Sequence, residues 1–166
     1  MRGQTLVLSL VLVAGCVAGA AAQPEQTVWL DTLDLACLRQ GWGAPQPNRS
    51  VDRNPIVLGG RAFSRGVGTH APSTFLVDLH GAARRFEAWV GVNDEVKPRG
   101  SVVFEVHAGK RVLFRSAVLK GGDAAAKVDV DVTGVGLLAL VVLGGSDGID
   151  YDHADWAEAR FIVAGP

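Results

Sequence analysis

The chain predicts an all-β fold, an antiparallel β-sandwich of the jelly-roll kind. Three observations point there. Short segments alternate apolar and polar residues at period two, as in Lys127–Val132. Glycine-rich punctuation separates the segments, at Gly59-Gly60, Gly121-Gly122 and Gly144-Gly145. No stretch sustains a 3.6-residue period over three turns, and the one short helical candidate is Asp31–Leu38.

The strands follow in order. Thr27–Leu30 comes first, then the short helical stretch, where Leu35-Ala36-Cys37-Leu38 predicts a buried, inert Cys37 thiol. Ile56–Leu58 and Ser73–Leu79 come next. In Arg85–Val92, Phe86, Ala88, Val90 and Val92 share one face, and Trp89 shares the other with Arg85 and Glu87, so partial exposure is expected of it. Ser101–Val106 runs through His107-Ala108-Gly109-Lys110 into Arg111–Phe114, hairpin grammar with Gly at the turn. Lys127–Val132 predicts a strand with one wet face. Leu137–Leu143 is unbroken and apolar, which predicts a central strand covered on both sides, and Trp156–Val163 closes the series.

Composition narrows the function. The 166 residues carry 16 Lys+Arg against 17 Asp+Glu, a net charge of −1, with the basic residues scattered singly. A nucleic-acid partner would leave a clustered basic footprint, so none is expected. Part of the apolar excess lies at the front: Met1-Arg2, the run Leu6–Ala14, then Ala20-Ala21-Ala22 ahead of Gln23-Pro24. This is the pattern of a secretory signal peptide over residues 1–22, leaving a single domain over 23–166. The run is shorter than the roughly 20 residues of a membrane span, so no transmembrane segment is expected after cleavage. The product is then secreted or periplasmic. The competing reading is Val13-Ala14-Gly15-Cys16 as a lipobox, with the protein anchored through a lipid on Cys16. Past residue 22 only Cys37 remains, so no disulfide within the chain is expected.

Four polar clusters stand at predicted strand ends: Gly41-Trp42-Gly43 with the loop to Asn54-Pro55, Gly66–Ser73, Gly91–Glu95 and Asp147–Trp156. Loops held by a rigid sandwich are where binding groups collect. Asp, Glu, Asn and His satisfy paired hydroxyls, and an indole packs on the apolar face of a sugar ring. The same acids are oxygen donors of the kind calcium takes. Zinc held by His70, His153 and Asp155 lacks a recognised ligand spacing. Hydrolysis by paired carboxylates, Asp94 or Glu95 with Asp152, needs a separation of about 5–10 Å that spacing does not set. A Gly-x-Ser-x-Gly elbow and a phosphate-cradling glycine loop are both absent.

The succession Gly41-Trp42-Gly43, Pro55–Gly60, Arg65-Gly66-Val67-Gly68-Thr69-His70-Ala71-Pro72-Ser73, Val90–Glu95, Gly121–Ala124 and Tyr151-Asp152-His153-Ala154-Asp155-Trp156 resembles, in order from Val28 to Val163, the NPCBM domain. These are the "novel putative carbohydrate-binding modules", carbohydrate-binding module family 51, of the glycosyl hydrolase family 98-associated type. The resemblance implies a galactose-binding-like β-sandwich that recognises galactose-type glycans on a cell surface or polysaccharide, without catalysis, and with a bound calcium ion. Carried onto this chain, it implies sugar contacts from His70, Asn93, Asp94, Glu95, Asp152 and His153, with Trp42 or Trp156 as the aromatic wall. For calcium it implies Asp34, Asp52 and Glu158, near the two chain ends. The alternatives are a structural or protein-interaction domain of the cell envelope and a small glycan hydrolase.

Overall fold

The computed structural model describes residues 24–164. The export-signal and Cys16 readings therefore lie outside the described residues. Fourteen strands follow one another: β1 Glu25–Trp29, β2 Arg39–Gln40, β3 Gln46–Pro47, β4 Ile56–Leu58, β5 Arg61–Phe63, β6 Gly66–His70, β7 Ser73–Asp78, β8 Ala83–Val92, β9 Ser101–Ala108, β10 Arg111–Arg115, β11 Leu119–Lys120, β12 Ala126–Asp131, β13 Leu137–Gly144 and β14 His153–Ala164. They form two six-stranded antiparallel sheets. The first runs β12-β8-β14-β6-β3 with β1 added along β14, the second β10-β9-β13-β7-β2 with β11 on β9, and β4-β5 is a separate hairpin. No helix among the described residues is long and apolar enough to cross a membrane.

The alternation read from the sequence selects the inward faces. Phe86, Ala88, Val90 and Val92 of β8 and Val128 and Val130 of β12 are buried against Phe104 and Val106 of β9 and Leu138, Leu140 and Val142 of β13. Trp156 of β14 joins the two sheets, packing edge-on against Phe104 with ring centroids 5.1 Å apart and beside Phe86 at 6.0 Å. Lys127, Asp129 and Asp131 take the wet face of β12, as the pattern requires. β9 and β10 pair through Ala108↔Arg111, with Gly109 at φ +60° in the turn.

A third layer crosses the outer face of the first sheet. Ile56, Leu58 and Phe63 of the β4-β5 hairpin bury Ala157 of β14 in a second small core. Glycines clear the path for this layer. A Cβ on Gly68 would collide with the carbonyl oxygen of Arg49 and the backbone of Ser50, and one on Gly66 would sit 3.0 Å from Ile56 and 2.5 Å from the Trp156 carbonyl oxygen. Hence the 49–58 segment lies flat on the sheet.

Several expectations change. Cys37 is exposed: in the tight 3-10 turn Leu35–Cys37, Leu38 and Leu35 turn to the core and the thiol faces out. The helical stretch is two such turns, Leu30–Thr32 and Leu35–Cys37, not a helix. β13 is fully buried on one side only; on the other Leu137 is exposed and Ala139, Val141 and Leu143 are half-buried. Gly66–His70 and His153–Asp155, read as polar strand ends, are paired strand residues, because the covering layer hides positions that alternation would leave wet.

Candidate functional site

The covering layer ends where β6 and β14 pair. His153 stands directly across from His70, and both side chains face the layer's edge. Gly41 admits Trp42 to this corner, since a Cβ there would sit 2.7 Å from Pro72 and 2.9 Å from the carbonyl oxygen of Ala71. The Trp42 indole stacks on His153 (5.9 Å, 11° between planes), and both lie against His70, at 5.4 and 5.5 Å. Trp42 keeps 52% of its surface exposed, so one aromatic face is presented to solvent.

Glu95 is positioned from the opposite side. Asn93 is buried, and its Oδ1 accepts from the Glu95 N–H at 3.0 Å, capping the 3-10 turn Asp94–Val96. Its Nδ2 donates to Asp155 Oδ2 (2.7 Å) and to the Pro55 carbonyl (3.1 Å), which ties the turn to β14 and to the covering loop. Glu95 then reaches three donors: His153 Nδ1 to Oε1 at 2.7 Å, Ser50 Oγ and Asn54 Nδ2 to Oε2 at 2.9 and 2.7 Å. Burial alone would raise the Glu95 carboxyl, but the bonds from His153, Asn54 and Ser50 hold it below its ordinary value.

These bonds fix the ring protons. A carbonyl only accepts, so His70 Nδ1, 2.7 Å from the Ala71 oxygen, carries hydrogen. His153 Nδ1 likewise donates to the ionised Glu95. The other ring nitrogen, Nε2, has no hydrogen-bond partner among the described residues in either histidine, and in the neutral form of the ring it is an acceptor. Two imidazoles, a carboxylate and an indole face therefore line one side of a cavity of about 550 Å³. Asp52 and Asn54 extend that side, and Arg99, Ile149, Asp150 and Tyr151 form the opposite rim.

Of the residues expected at a sugar site, Trp42, His70, Glu95 and His153 meet at this cavity. Asn93 is beneath it, as described. Asp94 points the other way and accepts from the Gly59 and Gly60 N–H groups at 3.0 and 2.8 Å, clamping the β4-β5 turn. Asp152 is buried, accepting from the Ser101 N–H at 2.8 Å; burial raises its carboxyl, with Ser101 opposing. Trp156 is a core residue. Asn54, Arg99, Ile149 and Asp150 are lining residues that were not singled out; Arg99 and Ile149 carry no local signal, one a lone basic residue in a turn and the other a lone apolar one.

The residues named for calcium occupy three settings. Asp34 accepts from the Ala36 N–H, Glu158 faces Arg61 at 3.7 Å, and Asp52 lines the cavity. Asp52, Glu95 and His153 bring ligand atoms within 4.8 Å of one another, while Glu95 also accepts from His153, Ser50 and Asn54. Calcium takes six to eight oxygens, and Asp34, Asp52 and Glu158 do not meet around one such shell. Asp155, the third member of the zinc alternative, is bonded to Asn93 in the interior.

Comparison with known proteins identifies relatives of the fold. Residues 26–162 match the NPCBM/NEW2 domain family. A family 51 carbohydrate-binding module from Clostridium perfringens GH95, solved in complex with methyl-galactose, is 32% identical, covering 82% of this chain and 99% of that one with a TM-score of 0.76. The second such module of C. perfringens ZmpB, solved with its INT domains and GlcNAc, is 29% identical, covering 84% of this chain and 32% of that one with a TM-score of 0.78. Alpha-1,3-galactosidase B of Akkermansia muciniphila is 31% identical over 168 residues, 93% of this chain and 21% of that protein. The chain thus spans about a fifth of the length of that relative.

Proposed function

The chain belongs to the NPCBM/NEW2 domain family, and we propose on that premise that it is a non-catalytic module that binds the terminal galactose-type residue of a glycan. One observation carries the reading: the convergence of the Trp42 face, the imidazoles of His70 and His153, with their Nε2 atoms unpartnered, and the Glu95 carboxylate on one cavity. A hexose ring presents hydroxyl donors along its edge and C–H groups on its face, and this set meets both. The similar module that holds methyl-galactose favours galactose over other hexoses.

The charge states argue against hydrolysis. Glycoside cleavage needs one carboxyl held neutral as an acid beside a second carboxylate. Glu95 is held below its ordinary value by the bonds from His153, Asn54 and Ser50, so it is not the neutral acid. The raised carboxyl of Asp152 is buried and bonded to Ser101, not on the cavity wall. Export through the leader of residues 1–22, or anchoring through Cys16, would bring this pocket to the glycans of cell surfaces and polysaccharides.

The test is a glycan array probed with the chain and with His153→Ala. Binding confined to terminal galactosides and lost in the variant is the expected result. Retention by GlcNAc probes alone would replace the sugar, and a silent array would overturn the reading.

A further inference from the structure

The rim opposite Trp42 is built as deliberately as the wall. Gly100, at φ +78°, lets the Lys97–Gly100 turn close onto the carbonyl of Tyr151, a contact that any Cβ would forbid. Tyr151 itself sits at φ +67°, a conformation that costs a non-glycine residue energy and persists only where its surroundings impose it. This closure places the Arg99 guanidinium 3.6 Å from the Tyr151 ring centroid. Arg99 makes no ion pair and no side-chain hydrogen bond among the described residues, although Asp150 lies on the same rim. Contact with the ring orders the guanidinium without consuming its N–H donors, and a guanidinium fork matches a carboxylate or sulfate with two parallel bonds.

We propose that Arg99 and Tyr151 form a second subsite, which takes the unit next to the terminal sugar and selects glycans carrying an anionic substituent there. The proposal rests on the glycan reading above and extends it. The cavity falls within the roughly 300–1,000 Å³ of sites that hold ligands larger than one hexose, and the terminal unit occupies only the side toward His70 and His153. The tyrosine ring supplies a face for the second sugar. The guanidinium supplies the one permanent positive charge among the residues lining a cavity that also carries Asp52, Glu95 and Asp150. A neutral extension would gain the ring contact alone, whereas an acidic one adds charge-assisted hydrogen bonds in a partly enclosed site.

The experiment compares immobilised N-acetyllactosamine with the same disaccharide sulfated on its GlcNAc, and with a galactosyl-uronic acid disaccharide, against the chain, Arg99→Gln and Glu95→Gln. The expected result is affinity about tenfold higher for an anionic probe than for the neutral one, a ratio that falls to about one in Arg99→Gln. The sulfated and uronic arms show which anion is preferred. Glu95→Gln should weaken all probes and leave the ratio standing. Equal affinity for neutral and anionic probes, or a ratio that survives Arg99→Gln, would overturn the subsite while leaving galactose binding intact. Failure of every probe to bind removes the glycan reading and the subsite with it.

Discussion

Glu95 Oε1 accepts a hydrogen bond from His153 Nδ1 at 2.7 Å, across 58 residues of sequence. The bond does two things at once. It keeps the carboxylate ionised in a half-buried corner, and it engages Nδ1 so that Nε2 is the ring nitrogen left without a protein partner.

Replacing Glu95 with Ala should therefore cost both binding and stability. It removes the acceptor of His153, Ser50 and Asn54 together. Leaving such donors without a partner costs about 1–3 kcal/mol. Calorimetry should show loss of galactoside binding, and denaturant titration a lower midpoint.

The two tryptophans should separate cleanly. Trp42→Ala removes a half-exposed ring and should weaken binding by about tenfold, the scale of a lost aromatic contact, with the melting temperature nearly unchanged. Trp156→Ala empties the centre of the sandwich and should cost about 3–5 kcal/mol. Thermal melts beside titrations with a galactoside would read both.

Asp94 serves the covering layer. Its carboxylate holds the Gly59 and Gly60 N–H groups, so Asp94→Ala should lower stability by about 1–2 kcal/mol. Galactoside affinity in that variant should stay within about twofold, because the side chain turns away from the cavity. A tenfold loss of affinity at unchanged stability would contradict this placement.

The interior Asp155 sets a pH dependence. Burial raises its carboxyl well above the ordinary value of 3.8, against the hydrogen bond from Asn93. The folded chain therefore holds this proton more tightly than the unfolded one, so the contribution to stability is fully present below the unfolded value. It is lost progressively as pH rises toward the folded one. Asp155→Asn keeps an acceptor for Asn93 and removes the titration. Urea midpoints measured from acid to neutral pH should show the variant gaining on the natural chain as pH rises. A gap that is constant with pH would show that Asp155 does not titrate in this way.

The inward faces of β8, β12 and β13 were legible from the period-two pattern, because a strand exposes its alternation residue by residue. The Trp42, His70, Glu95 and His153 positions were legible as candidates from residue chemistry. Asn93, Asp94, Asp152 and Trp156 share that chemistry and sit in the same motifs, yet they turn inward or beneath. Which side of a strand or turn a polar residue faces depends on what covers it, and cover comes from segments distant in the chain. Gly68, one glycine among several in its motif, clears space for the backbone of Arg49 and Ser50. Arg99 and Tyr151, adjacent in space through Gly100, offered no shared local signal.

Read alone, the sequence determined an antiparallel sandwich, its core positions and a family whose members share the order of these motifs, since each of these is written in local periodicity or in adjacent residues. Only the tertiary structure decided which acids face the cavity, which brace the layer over the sheet, and that the exposed wall and rim form one pocket. Those outcomes rest on pairings such as Glu95 with His153 and Asn93 with Asp155, made across loops whose closure no local pattern encodes.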